Sequence, residues 1–165
     1  MDTFLVFGIQ NLFGFVVYGL IAAWYVWPRL KAMPIASALT ALTFIHAFRS
    51  VGATILVPSA GGSAVSHDFA TTLAYGDLTT ATLAVIALIA LRARWPIAIA
   101  LVIVTNVVGT LDLLDVLVQA IQTDITHAAL GAFWYVPTFL VPILWIAHFM
   151  TFALLVRARR VAPAT

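Results

Sequence analysis

Long apolar runs, interrupted by short clusters of charge, proline and glycine, set the pattern of this chain. Five such runs can be delimited, at about residues 4–27, 33–57, 69–91, 95–121 and 129–156. Each reaches the length of about 20 residues at which an α-helix crosses a hydrocarbon core about 30 Å thick. The connections at Pro28 to Ala32 and at Arg92 to Arg94 are so short that the helices they join must be antiparallel neighbours. The pattern therefore predicts an all-α integral membrane protein, a five-transmembrane-helix up-down bundle forming a single domain over residues 1–165. The first run is too long for the apolar core of a signal peptide and no basic stretch precedes it, so a retained helix is expected there.

Composition agrees with the pattern. Of the 165 residues 64% are hydrophobic and only 8% charged, far from the roughly one quarter charged of soluble domains. There is no cysteine, which excludes disulfides, thiolate metal sites and thiol catalysis. A net charge of +2 does not point to nucleic acid, because nearly every cation sits at the end of an apolar run. Arg29 and Lys31, Arg92 and Arg94, and Arg157, Arg159 and Arg160 fall at alternate boundaries, whereas Asp2, Asp68 and Asp124 mark the others. The bias of Lys and Arg toward the cytoplasm then predicts N-out/C-in orientation in the inner (plasma) membrane. Trp24, Tyr25, Trp27 and Trp95 would form the inner aromatic belt, with Trp134 and Tyr135 near the outer one. The Gly/Ser-rich stretch from Pro58 to His67 is expected to be a flexible outer connection. No fixed repeat divides the chain into inverted halves, which counts against a large alternating-access carrier.

Charge inside the runs carries the chemistry. Counted from the inner boundary of each helix, Asn11, Arg49, Asp77 and Asp112 fall roughly 14 to 17 residues in, at a common depth of about 21 to 25 Å. His46 stands one turn below Arg49, and Asp115 one turn above Asp112. Insertion scales put a central Asp or Arg at about +2.5 to +3.5 kcal/mol, so these groups must pair, meet water, or both. One Arg cannot neutralise three carboxylates, and the excess implies a proton, a cation or a cationic ligand group. Pro137 and Pro142 are expected to kink the fifth helix and to free the carbonyls of Phe133 and Thr138. A sparser, deeper group comprises Tyr18, Asn106 and His148, for which interhelical hydrogen bonds are the expected role. Gly76, Thr80 and Ala84, at four-residue spacing, read as a small-residue packing face.

Three readings follow. In the first, an outer-half site binds a small polar or amphipathic ligand. There His46, Asp77 and Asp112 are the acid-base groups, and Asn11, Arg49, Tyr75, Asp115 and Thr138 the ligand contacts. Proton-coupled transport is its first elaboration. In the second, the same groups serve a membrane enzyme by acid-base chemistry alone, since no nucleophile motif, phosphate loop or dinucleotide fingerprint occurs. In the third, the charges hold helices together in an accessory subunit or meet a partner protein or second copy. Partners on any reading are the lipid bilayer and a small molecule or proton. No cofactor is expected. A haem held by His46 and His148 is disfavoured because the two differ in depth by about five residues, and metal is disfavoured by Arg49 beside the carboxylates and by the lack of HxxxH or HExxH spacing. In outline the chain resembles the translocator protein family of porphyrin- and cholesterol-binding membrane proteins. The segments HAFRSVG at His46 to Gly52 and YGDL at Tyr75 to Leu78 differ from that family's Trp/Pro-rich signature, and the chain is not assigned to it.

Overall fold

Every long element of the computed structural model is helical. It describes residues 2–161, so Met1 and residues 162–165 of the expected domain lie outside the described residues. Five helices are long and apolar enough to cross a membrane: α1 (Thr3–Ala32), α2 (Ile35–Leu56), α3 (His67–Arg92), α4 (Ala98–Gln122) and α5 (Gly131–Arg160). Local chemistry sets their ends. The Asp2 carboxylate accepts from Phe4 N at 3.2 Å and Ser66 Oγ from Phe69 N at 3.2 Å, each capping orphan amides at a helix start. At the end of α3, Arg94 turns left-handed (φ 56°) and Trp95 N closes back on Ala90 O at 2.9 Å. Asp124, also left-handed at φ 50°, follows α4 in the same manner.

The helices differ from the expected spans in ways that proline explains. α1 runs through Pro28 rather than stopping before it, by widening into a π-helical turn over Ala22–Val26. Arg29 Nη1 then donates to Tyr25 O at 2.7 Å. A second π-helical turn, Val136–Leu140, absorbs Pro137 in α5. α2 tightens into a 3₁₀-helix over Phe48–Leu56.

Helices α2 to α5 form the core. Side chains that meet across α3 and α4, such as Thr80 beside Gly109 and Asp112 over Gly76, run in opposite sequence directions. Two apolar clusters close the ends of the bundle. Leu39, Leu42, Ala87, Ala90, Val102 and Leu154 pack near the basic boundaries, and Ile55, Phe69, Leu73, Leu130 and Phe133 near the acidic ones. The stretch from Pro58, expected to be a flexible connection, is folded into short turns. Gly61, at φ 121°, lies against the Leu130 carbonyl where any Cβ would overlap it.

α1 stands apart from this core. Its first stretch, Thr3–Ile21, contains no buried residue. It packs on α5, with Phe7 edge-on to Trp134 at 5.4 Å and Tyr18 edge-on to Phe139 at 5.6 Å. Its start is bridged to the turn after α4 by His127, whose Nε2 lies 3.6 Å from Asp2 Oδ1 and whose Nδ1 lies 2.9 Å from Asp124.

The hydrogen bond to Asp124 raises the His127 pKa above the usual imidazole value, and the same bond holds the Asp124 carboxyl low. The raised imidazole value means that its share of the contact is complete below the unfolded pKa and lost as pH rises through the folded one. The depressed carboxyl value means that its share is present above the unfolded pKa and lost as pH falls through the folded one. The contact therefore holds between those limits. His127 should titrate above a free imidazole by NMR, and Asp124→Asn should bring its midpoint down. An unmoved midpoint would show that the pair does not form.

Candidate functional site

A 3₁₀-helix has three residues per turn, so positions three apart eclipse. In α2 this stacks Arg49, Gly52 and Ile55 on one buried line, with His46 one turn before it. Arg49 is 0% exposed. Its guanidinium donates through Nε to Asp77 Oδ1 on α3 at 2.6 Å, through Nη1 to Gly109 O on α4 at 2.8 Å, and through Nη2 to Asp112 Oδ2 on α4. One cation therefore joins three helices, and the planar fork suits this where a point charge would not.

Three glycines make room for it. A methyl at Gly52 would overlap the Asp77 carboxylate, and one at Gly76 the Asp112 carboxylate. One at Gly109 would sit 2.7 Å from the Thr80 methyl, 2.8 Å from His148 and 3.0 Å from Arg49 Nη1. Gly76 is thus more than the packing face expected of it: its bare backbone is the surface on which Asp112 lies. Gly52 and Gly109 were not picked out in the sequence. Their signal was glycine inside apolar spans, three residues from Arg49 and from Asp112.

On one side of the cluster lies a cavity of about 270 Å³. Its walls are apolar, among them Phe7, Phe133, Val116, Leu144 and Trp145, and its polar lining includes Asn11, Arg49 and Asp77. Asp124 and Thr126 also line it. The Asp77 side chain keeps 10% exposure. Asn11 donates to Phe7 O at 3.2 Å and so shares the cavity with Arg49 without bonding to it.

Behind the cluster is a second polar group. His46 and His148 stack face to face, with ring centroids 4.0 Å apart and planes 26° apart. The Asn106 amide oxygen lies 2.7 Å from His148 Nδ1 and sets that nitrogen as the donor. Both ring nitrogens of His46, His148 Nε2 and Thr80 Oγ1 are buried with no hydrogen-bond partner among the described residues.

Several expectations are corrected here. His46 and His148 are level, not offset by five residues. α5 continues to Arg160 and α2 starts at Ile35, which places His148 about twelve residues and His46 about eleven from the same boundary. The depth argument about haem falls with that offset, and the two rings lie in direct face-to-face contact. His46 belongs with Asn106 and His148, while Tyr18 stands apart against Phe139, its hydroxyl buried and unpartnered. Asn106 and Asp112, six residues and so about 120° apart on an ideal helix, both turn inward because α4 is packed on several sides by α2, α3 and α5. Of the expected ligand contacts, Tyr75 is 65% exposed on the outer face of α3. Asp115 is exposed and accepts from Gln119 at 2.6 Å. Thr138 donates to Trp134 O at 2.7 Å and lies beside α1, away from the cluster. None of these three joins Arg49. Asp112 does, on the flank of the guanidinium away from the cavity lining.

These features define a class: an all-helical protein with five helices of membrane-spanning length and apolarity, organised around a buried guanidinium shared by two carboxylates. The chain belongs to the family described as a domain of unknown function, DUF8737, which matches residues 6–156 and so includes Arg49, Asp77, Asp112 and both stacked histidines. No curated protein and no solved structure matches it.

Removing Arg49 strands the buried carboxylate of Asp77 and the half-buried one of Asp112. Arg49→Ala should therefore lower unfolding stability in detergent by about 3 to 5 kcal/mol, and Arg49→Lys should not restore it. Replacing the triad together, as Arg49→Met with Asp77→Leu and Asp112→Leu, should recover much of the loss. Thermal unfolding of the four proteins checks this, and a triple variant no more stable than Arg49→Ala would refute it.

Proposed function

We propose that this is a polytopic plasma-membrane protein, N-terminus outside and C-terminus in the cytoplasm, whose outer-half cavity binds a small amphipathic ligand. The observation that carries the reading is an apolar cavity of about 270 Å³ ending on a charged cluster. Small-molecule sites combine that kind of wall with a few fixed polar groups, at volumes of about 300 to 1,000 Å³. Orientation rests on the alternation of basic and acidic boundaries along the chain.

The geometry supports a different division of labour from the one the sequence suggested. Arg49 is engaged by Asp77, Asp112 and Gly109, so its role is to hold Asp77 in place rather than to anchor an anion. Asp77 is the ligand-facing carboxylate. His46 is outside the cavity lining and acts, if in proton exchange, from behind Arg49. The cluster of Leu39, Leu42, Ala87 and Leu154 closes the far end, which favours binding over conduction. An enzyme would need acid and base to converge on the cavity, and only Asp77 among the three expected acid-base groups lines it.

A purely structural role has one observation in its favour, the complete burial of Arg49 among three partners. Filling the cavity separates the two readings. Ala120→Trp places bulk in the wall without touching the cluster, and should abolish binding of a short-chain amphiphile such as decanol in nanodiscs while leaving the melting temperature within a few degrees. If decanol binds equally before and after, the cavity is not the site. Orientation has its own check, because the chain has no cysteine. Ser63→Cys should react with an impermeant maleimide on intact cells, and Ala93→Cys only after permeabilisation.

A further inference from the structure

Three features of the cavity bear on the chemistry of what it holds. The first is charge. Asp77 and Asp112 both bond to the single guanidinium of Arg49, so the ionised cluster carries one net negative charge in an apolar interior. Such a charge is costly unless a proton or a cation compensates it. Asp77 is the member of the pair that lines the cavity. Asn11 spends its amide nitrogen on Phe7 O, which leaves its carbonyl oxygen as a second acceptor there.

The second is aromatic lining. Phe7, Phe133 and Trp145 line the same cavity as Asp77, and aromatic faces attract organic cations, more strongly when water is excluded. The third is the side on which the cavity opens. α1 packs on α5 and on the turn at Ile125–His127 rather than on α4, yet side chains of both α1 and α4 line the space. Phe4 on α1 and Leu117 and Ile121 on α4 are 60%, 48% and 73% exposed at this rim. With the helices spanning a bilayer as proposed above, a gap between such side chains faces hydrocarbon, and Asp124 and Thr126 supply polar groups to the same lining.

We infer that the cavity takes up a lipid-soluble organic cation from the bilayer through the gap between α1 and α4, with its ammonium against Asp77 and its apolar body among the aromatic walls. This rests on the binding reading above. The volume of about 270 Å³ lies just under the range of about 300 to 1,000 Å³ usual for small-molecule sites and so suits a small single-chain ligand.

The test compares three probes of equal chain length, decylammonium, decanol and decanoate, titrated calorimetrically into nanodiscs with empty nanodiscs as the partition control. Decylammonium should bind at least about tenfold more tightly than decanol, a difference of about 1.4 kcal/mol, and decanoate most weakly. Asp77→Asn should remove the preference for the cation, bringing the affinities for decylammonium and decanol to within about twofold of each other. Should Asp77→Asn fail to fold, Asn11→Leu, which deletes the second acceptor without breaking the ion cluster, should weaken decylammonium more than decanol. Decanol or decanoate binding as tightly as decylammonium would overturn the inference and leave the cavity reading standing. No binding by any of the three would remove both. Passage between the helices has a separate readout. Phe7→Cys with Leu117→Cys, joined by a bismaleimide across the gap, should slow decylammonium association at least about tenfold, and an unchanged rate would place the route elsewhere.

Discussion

The bonds from Arg49 to Asp77 and Asp112 are the constraint on which the rest of the structure depends. A guanidinium in an apolar interior is tolerable only when its charge and its donors are both met. The chain meets them with a carboxylate on each flank and a backbone carbonyl between. Much of the irregular geometry follows. The 3₁₀ stretch of α2 lines Gly52 up behind Arg49, so that Asp77 can lie against bare backbone. Gly76 does the same for Asp112, and Gly109 allows α4 close enough for its carbonyl to accept. Without those glycines the partners could not reach one guanidinium, and without the guanidinium the glycines would be gaps in helix packing.

The same interaction divides the molecule. α2, α3 and α4 are tied through one side chain, and α5 joins them through the histidine stack and the Asn106 pairing. α1 shares in none of this. Its contacts are van der Waals packing on α5, a Trp134 to Gln10 hydrogen bond at 2.6 Å, and an exposed imidazole bridge to Asp2. Exposed ion pairs contribute little. A wall held by such contacts, beside a cavity whose other walls belong to a charge-locked core, is the element whose displacement costs least.

The helix spans were legible because long apolar runs nearly free of charge, cut by short basic, acidic and proline clusters, leave few alternatives to membrane-length helices, and the runs differ from the observed helices by a few residues. Proline misled about α1, where a π-helical turn carries the helix through Pro28, and about α4, which starts at Ala98 after Pro96 rather than at Trp95. The cluster was legible for the same energetic reason: charges at matched depth in different helices have to meet. Its partners were harder. Depth counting treats every helix as a straight rod with a known end, so it missed the continuation of α5 and misplaced His148 against His46. It also says nothing about azimuth. Tyr75 stands two residues before Asp77 and Asp115 three after Asp112, close in depth, yet both project away from the core. Glycine carries no polar atom to count, which is why three residues that shape the site left only a weak mark.

The histidine pair follows from this arrangement in a way that depth alone would not suggest. Each unpartnered buried polar atom costs about 1 to 3 kcal/mol, and four of them lie on His46, His148 and Thr80. Packing is a poor explanation for such a group, since apolar side chains would fill the same volume without the cost. The group is bounded on one side by the apolar cluster of Leu42, Ala87 and Val102 and on the other by Arg49. The two groups meet at one backbone position: the Gly109 carbonyl accepts from Arg49, and its bare Cα lets the Thr80 methyl and the His148 ring close in beside the guanidinium.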